Sequence, residues 1–228
     1  MNLEFHYNQL NSESLEALHE GRYHIDHLID SPSDSRRGIT LLIRQNEQIK
    51  ANIQEFQSAI KEVEPYQYYY PSSDLHVTTL SIISCYDGFK LSQIDINQYI
   101  DLLTEELTNT RGFQIEFRGT TLSRSGILIK GFPSPTLNQI RDKLRTRFKK
   151  SEFQSSIDSR YQIKTAHCTV MRFRKQLQNI EELINKINQY ENLSFGTLKV
   201  NSLELVYNDW YQKYSKTKTL KQITLIAA

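Results

Sequence analysis

Two short His-x-Thr motifs within strand-like segments constrain the fold of this chain more than any other feature. The motifs are Leu75-His76-Val77-Thr78 and Ala166-His167-Cys168-Thr169. Successive side chains of a strand point to opposite faces, so each motif places its histidine and threonine on one face, about 7 Å apart. The motifs are 91 residues apart (167 − 76), and the sequence between them contains enough strands and helices to form about one lobe of a two-lobed domain. This spacing suits two similar halves that face each other across a cleft.

Hydrophobic periodicity predicts a mixed order of strands and helices. The predicted strands cover residues 38–44, 74–83, 113–118, 126–131, 163–173, 198–206 and 221–226. Apolar spacing of three and four predicts helices that follow Asn46 and Asp95 and helices over 137–148 and 180–187. This order favours an α/β or α+β fold with a largely antiparallel sheet and helices outside it. We assign residues 38–228 to a single domain and residues 1–37 to a polar, irregular N-terminal extension with one short helix, Ser12 to His19.

The composition excludes several classes of protein. Apolar residues make up 38% and charged residues 24%, as in ordinary globular domains. A net charge of +2 does not fit a strongly basic nucleic-acid coat, and two cysteines do not form a disulfide scaffold. No segment approaches the ~20 apolar residues that span a bilayer, and the first residues lack a signal-peptide pattern. We therefore expect a cytoplasmic protein that does not enter membranes.

The residue types in the two motifs suit the cleavage of a phosphodiester. This reaction needs a base for the attacking hydroxyl or water and an acid for the leaving oxygen, and histidine serves both roles because its ordinary pKa is about 6.5. In-line displacement puts the two groups on opposite sides of phosphorus. His76 and His167 are therefore candidate catalytic residues, and Thr78 and Thr169 are candidate ligands of the phosphate oxygens. A structural alternative is two buried histidines whose only partners are the neighbouring threonines.

The chain resembles the two-histidine phosphoesterase superfamily, which includes RNA 2′–5′ ligase-like proteins and cyclic nucleotide phosphodiesterases. The superfamily motif is His, a hydrophobic residue, Thr or Ser, and a hydrophobic residue, occurring twice. His167-Cys168-Thr169-Val170 fits this pattern, and so does His76-Val77-Thr78, although Thr79 follows where an apolar residue is common. The segment from Asp74 to Ile82 also looks like the first motif of bacterial members. The resemblance covers residues 38–226.

The resemblance implies a bilobal, pseudo-twofold fold around a central cleft. It also implies substrates such as 2′,3′-cyclic phosphates, 2′–5′ linkages or cyclic nucleotides. By analogy with cyclic phosphodiesterases, His167 is expected to act as the base and His76 as the acid. Some ligase-like members carry a His-x-Thr-x-x-Arg pattern, which makes Arg172 a further candidate phosphate ligand. Simple alternation points Arg172 away from His167 unless the strand bulges or ends.

Aromatic and basic residues supply weaker candidates. Tyr69 and Tyr70 could stack on a nucleobase, as could the neighbouring Tyr66 and Tyr68 or the later Tyr207 and Trp210. One face of the helix over 137–148 is basic and could attract RNA phosphates, although a solvated helix face accounts for it equally. This face comprises Arg141, Lys143, Arg145, Arg147 and Lys149.

Other possible sites find little support in the sequence. His24 and His27 have no further metal ligand nearby, so no metal site is expected. Cys85 and Cys168 have no neighbours that would lower the pKa of a nucleophilic thiol. We therefore predict a metal-independent phosphodiesterase without a cofactor or an obligatory protein partner, whose substrate is a nucleotide or an RNA end. A non-catalytic protein that binds the same ligands in the same cleft is the alternative.

Overall fold

The computed structural model describes residues 2–227. The helices are α1 (Leu3–His19), α2 (Glu47–Val63), α3 (Ile96–Leu107), α4 (Thr136–Lys149) and α5 (Ile180–Asn188). The strands are β1 (Arg37–Ile43), β2 (Tyr68–Tyr69), β3 (Val77–Tyr86), β4 (Phe113–Ser123), β5 (Gly126–Pro133), β6 (Cys168–Arg172), β7 (Ser194–Val200), β8 (Ser202–Asp209) and β9 (Lys218–Thr224).

All pairs of these strands are antiparallel, and they form two halves of one curled sheet. One half has the order β7-β4-β5-β6 and the other β3-β1-β8-β9, while β2 pairs with β6. The halves meet where β6 pairs with β3 through a single residue pair, Val77 with Cys168. Each half therefore contributes one motif strand to the junction. This arrangement confirms the predicted α+β class with antiparallel sheets around a central cleft.

The helices pack outside the sheet because each presents one apolar stripe. The Asn46 side chain accepts a hydrogen bond from the Ile49 amide at 2.9 Å and begins α2. Asp95 and Asn179 cap α3 and α5 in the same way. The predicted apolar positions of α2 to α5 are mostly buried against the sheet or against neighbouring helices.

The N-terminal helix is longer than its polar sequence predicts. It begins at Leu3 rather than after Ser12, because Asn2 caps it through a hydrogen bond from the Phe5 amide at 3.2 Å. The helix packs on β4, and its Tyr7 side chain is fully buried. The Tyr7 hydroxyl bonds to both the amide and the carbonyl of Gly131 at 3.1 Å. Residues of the predicted extension are thus packed on the main sheet.

Several strand boundaries also differ from the predictions. The predicted strand 198–206 is two strands, because the chain leaves β4 and crosses to β1 around Asn201. The predicted strands 74–83 and 163–173 begin later, at Val77 and Cys168. Each motif histidine is therefore the residue directly before its strand. No helix within residues 2–227 has the length and apolar character needed to cross a membrane.

Packing of α1 on the sheet predicts unequal effects of two apolar truncations within this helix. Leu18 is 0% exposed and Phe5 is 69% exposed. We expect Leu18→Ala to lower the free energy of unfolding by about 2–5 kcal/mol, because it leaves a cavity. Phe5→Ala should change it by no more than about 0.5 kcal/mol. Urea unfolding of both variants measures the difference, and equal small effects would show that α1 does not belong to the folded core.

Candidate active site

The pairing of β3 with β6 brings the two motifs together. Val77 lies opposite Cys168, so antiparallel register places His76 opposite Thr169 and Thr78 opposite His167. Val77 and Cys168 are fully buried, whereas the four motif side chains line the cleft on the other face. In this register the two histidines are diagonal neighbours, whose Cα atoms lie about 7–8 Å apart in an antiparallel pair. The two imidazoles therefore line one common space in the cleft.

Both imidazoles are oriented through their Nδ1 atoms. Nδ1 of His76 lies 2.7 Å from the Asp74 carbonyl, and because a carbonyl only accepts, this nitrogen carries hydrogen. Nδ1 of His167 lies 2.6 Å from the Thr165 hydroxyl. Neither Nε2 atom has a hydrogen-bond partner among the described residues. The Nε2 atoms are therefore free to meet a ligand in the cleft.

Burial strongly disfavours the charged forms of these two rings. It lowers the pKa of His76 to about 3 and the pKa of His167 to about 4. The Asp74 carbonyl acts in the opposite direction on His76, while the Arg141 guanidinium lowers the pKa of His167 further. Both histidines are thus neutral at pH 7 in the empty cleft, and a bound anion would favour their protonation.

A β-bulge brings Arg172 into the same cleft. Between β5 and β6, Ile127 and Leu128 pair with Met171 and Thr169, so Val170 is an extra residue. The extra residue reverses the alternation, and Arg172 faces the same side as Thr169. The strand therefore bulges. A bulge is the condition under which the sequence analysis allowed the Arg172 side chain to face the same side as His167.

The bulge is stabilised by a buried glutamine on α2. The Val170 carbonyl accepts hydrogen bonds from Nε2 of Gln57 at 2.8 Å and from the Tyr70 amide at 3.0 Å. The same Gln57 nitrogen also bonds to the Tyr70 carbonyl at 2.9 Å. Nε of Arg172 in turn donates to the Tyr70 hydroxyl at 2.8 Å. These bonds hold the Arg172 guanidinium at the edge of the motif cluster.

The structure separates the two tyrosines predicted to stack on a base. Tyr70 lines the cleft, but its ring is buried, packs 6.4 Å from the His76 ring and anchors Arg172. Tyr69 lies outside the cleft lining and donates its hydroxyl hydrogen to the Glu64 carbonyl at 2.9 Å. Tyr70 is thus placed to orient Arg172, whereas Tyr69 supports the chain before β3.

Of the other aromatic candidates, only Trp210 contributes to the cleft. Tyr66, Tyr68 and Tyr207 do not line it. The guanidinium of Arg160 lies 4.5 Å from the Trp210 ring centre. Arg160 belongs to residues 156–163, which form one wall of a cleft of about 1030 Å³, including space open to solvent. Tyr161, on the same wall, is 67% exposed.

A family model described as the 2′-5′ RNA ligase superfamily matches residues 45–211. The chain belongs to this superfamily. No curated protein matches the chain significantly. TT0787 of Thermus thermophilus is a similar solved structure, with 16% sequence identity and a TM-score of 0.61 over 83% of this chain and 98% of that one. E. coli LigT complexed with 3′-AMP is similar at 15% identity and a TM-score of 0.58, over 84% of this chain and 99% of LigT. A structure described as a phosphoesterase is similar at 15% identity and a TM-score of 0.57, over 84% and 99% of the two chains.

Within this superfamily member, a buried arginine joins the two motifs. Arg141 on α4 is fully buried and donates to the carbonyls of Thr78 at 3.0 Å, Thr79 at 2.9 Å and Thr165 at 2.7 Å. Thr79 is an extra residue in the pairing of β3 with β1, so a bulge interrupts the ladder at this carbonyl. Burial lowers the pKa of Arg141 to about 10, which leaves it charged at pH 7. The prediction that Arg141 belongs to a solvated basic face of this helix is therefore wrong.

Three of the four remaining basic residues of α4 face acidic partners. Arg145 bonds to Asp158 at 2.7 Å and so anchors the wall of the cleft. Lys143 and Arg147 each lie 3.1 Å from Glu106. These ion pairs neutralise most of the face that could have attracted RNA.

The thiols and the other histidines take no part in the cleft chemistry that the geometry suggests. Burial raises the pKa of Cys85 and of Cys168 to about 12, so neither forms a thiolate at pH 7. His24 and His27 are exposed and lie outside the cleft. Within residues 2–227, no group of three His, Cys, Asp or Glu side chains is arranged to hold a metal ion.

The role of Arg141 predicts a large effect of its removal. Arg141→Leu leaves three buried carbonyls without a charged donor, so the free energy of unfolding should fall by about 3 kcal/mol or more. Arg147→Leu, on the same helix but at a side chain that is 43% exposed, should change it by less than about 1 kcal/mol. Urea unfolding measures both variants. Equal losses of unfolding free energy in the two variants would contradict the claim that Arg141 links the two motif strands.

Proposed function

We propose that the protein is a metal-independent phosphodiesterase that opens or cleaves a nucleotide or RNA-end phosphodiester. The observation that carries this proposal is the register of β3 and β6, which arranges two imidazoles and two hydroxyls around one site. The superfamily supports chemistry at phosphodiesters, and the complex of LigT with 3′-AMP supports a nucleotide as the ligand. The substrate classes are 2′,3′-cyclic phosphates, 2′–5′ linkages and cyclic nucleotides.

In the proposed mechanism, the phosphate lies between the Nε2 atoms of the two histidines. His167 takes a proton from the attacking water, and His76 gives a proton to the leaving ribose oxygen. The new P–O bond forms on one side as the old one breaks on the other, and the product of a cyclic phosphate is a phosphomonoester. Thr78, Thr169 and Arg172 donate hydrogen bonds to the non-bridging oxygens, where negative charge develops.

The surroundings of the two rings support this assignment of roles. Their pKa values of about 3 and about 4 are too close to assign the acid and the base. The Asp74 carbonyl, however, accepts the Nδ1–H of His76 and stabilises its protonated form, as an acid requires. Burial and neighbouring arginines disfavour protonation of both rings, with Arg141 acting on His167 and Arg44 on His76, so the arginines do not separate the two roles. The Asp74 carbonyl is thus proposed to separate the tasks of two otherwise similar groups.

Substitution of the histidines tests the proposal directly. With a chelator present, His76→Ala and His167→Ala should each lower kcat on a 2′,3′-cyclic nucleotide or a 2′–5′ dinucleotide by about 10²–10⁴-fold. His27→Ala, at an exposed histidine outside the cleft, is the matched control and should retain full activity. Full activity of His76→Ala would contradict the assignment of His76 as a catalytic residue. Binding of these ligands by the wild type without any product would instead favour the non-catalytic alternative.

The lowered pKa values predict an unusual pH dependence. One acid and one base require the singly protonated pair, which in the free protein is most populated between about pH 3 and 4. kcat/KM should therefore fall about tenfold per pH unit between about pH 5 and 8. The bound phosphate anion raises both pKa values, so kcat should peak at a higher pH than kcat/KM. A kcat/KM profile that rises through pH 6.5 to a plateau would contradict this prediction.

A further inference from the structure

Two buried carbonyl oxygens at one end of the cleft have no hydrogen-bond partner within the described part of the chain. They are Oδ1 of Asn208 and Oε1 of Gln212, on side chains that are 1% and 3% exposed. Both residues line the same cleft as the motif histidines. Buried acceptors are nearly always paired in folded proteins, so two unpaired ones at a cleft wall indicate a ligand that donates to them.

The surroundings of Asn208 fix which of its atoms is free. Its Nδ2 donates to the Asp209 carbonyl at 2.7 Å and lies 3.5 Å from Sγ of Cys85, which leaves Oδ1 as the side-chain atom without a partner. Asn208 pairs with Gly38 on β1. A Cβ at Gly38 would lie 2.4 Å from the Ile83 carbonyl oxygen and 3.0 Å from Sγ of Cys85. The glycine thus lets these strands approach closely beside Asn208.

A strained turn fixes the backbone at Gln212. Its φ of 60° lies in the left-handed region, which residues other than glycine rarely adopt. The turn is fixed because Asp209 accepts hydrogen bonds from the Lys213 amide at 2.9 Å and from the Gln212 amide at 3.4 Å. Backbone strain of this kind concentrates at ligand sites. The conformation therefore agrees with a binding role for the Gln212 side chain.

The distance between the two ends of the cleft suits one nucleotide. Leu42 on β1 pairs with Thr78 of the first motif, and Gly38 pairs with Asn208. These two β1 residues are four positions apart, about 13 Å along the strand, and β3 and β8 flank β1 on opposite sides, about 10 Å from each other. Thr78 and Asn208 are therefore about 16 Å apart along this diagonal, before their side chains extend into the cleft. Hydroxyl groups of Thr40, Ser81 and Ser84 line the cleft between the two ends. A nucleotide with its phosphate at the histidines would therefore place its base near Asn208 and its ribose near these hydroxyls.

We propose that Asn208 and Gln212 form a subsite for a nucleobase that carries an exocyclic amino group. This inference rests on the proposed function, because the histidine site sets where the phosphate lies. Adenine, cytosine and guanine each offer amino hydrogens, whereas uracil and hypoxanthine present a carbonyl oxygen at the corresponding position. A carbonyl facing two carbonyl acceptors leaves all of them unpaired. The subsite thus accepts amino bases and rejects their keto counterparts.

Matched substrate pairs test the subsite. Cytidine and uridine 2′,3′-cyclic phosphates differ at one amino-to-carbonyl change, as do those of adenosine and inosine, while the phosphate stays the same. We expect kcat/KM to be at least about tenfold higher for the amino member of each pair. Equal kcat/KM values within both pairs would overturn the subsite and leave the proposed phosphodiesterase intact.

Two variants at Gln212 connect the preference to this residue. Gln212→Gly removes the acceptor and adopts the positive φ without strain, so the ratio of kcat/KM between the cytidine and uridine substrates should fall severalfold. Gln212→Glu keeps an acceptor and should retain the preference. An unchanged ratio in Gln212→Gly would overturn the role of this residue.

A binding measurement decides the question if no substrate is turned over. Calorimetric titration with cytidine and uridine 3′-monophosphates should then show at least about tenfold tighter binding of the cytidine compound. This result would keep the subsite in a non-catalytic protein. Equal dissociation constants would overturn the subsite, whatever the outcome for catalysis.

Discussion

One buried guanidinium, that of Arg141, connects the parts of the molecule that carry its chemistry. It bonds to the carbonyls of Thr78 and Thr79 in the first motif strand and of Thr165 just before the second. The two motif strands otherwise pair at only one residue pair, so the sheet ladder alone would hold them weakly. The Thr165 hydroxyl also contacts Nδ1 of His167. The guanidinium therefore connects His167 to the half of the sheet that contains β3.

Two β-bulges determine which side chains face the cleft. The bulge at Thr79 interrupts the ladder at a carbonyl that Arg141 then satisfies, and the bulge at Val170 turns Arg172 toward the motif histidines. Both irregularities would be costly without a buried partner for the freed carbonyls. Arg141 and Gln57 supply these partners, so the helices outside the sheet stabilise the local geometry that the site requires.

The predictable parts of the structure are those governed by local periodicity. Apolar spacing located α2 to α5, and alternation placed each motif histidine on the same face as its threonine, because both depend only on near neighbours in sequence. The bulge at Val170 and the burial of Arg141 depend on contacts with distant elements, so the sequence pattern pointed Arg172 away from His167 and placed Arg141 in solvent. The positions of Tyr161 and Gln212 in the cleft lining had no local signal, since they arise from an irregular segment and a turn that tertiary structure brings together.

The central claim is that His76 and His167 contact one and the same phosphate. Nitrogen-15 NMR of the imidazole rings, recorded during titration with a nucleoside 3′-monophosphate, measures this most directly. We expect the Nε2 signals of both rings to shift with a single dissociation constant and the pKa values of both to rise on binding. A bound nucleotide that perturbs only one of the two rings, or neither, would contradict this claim.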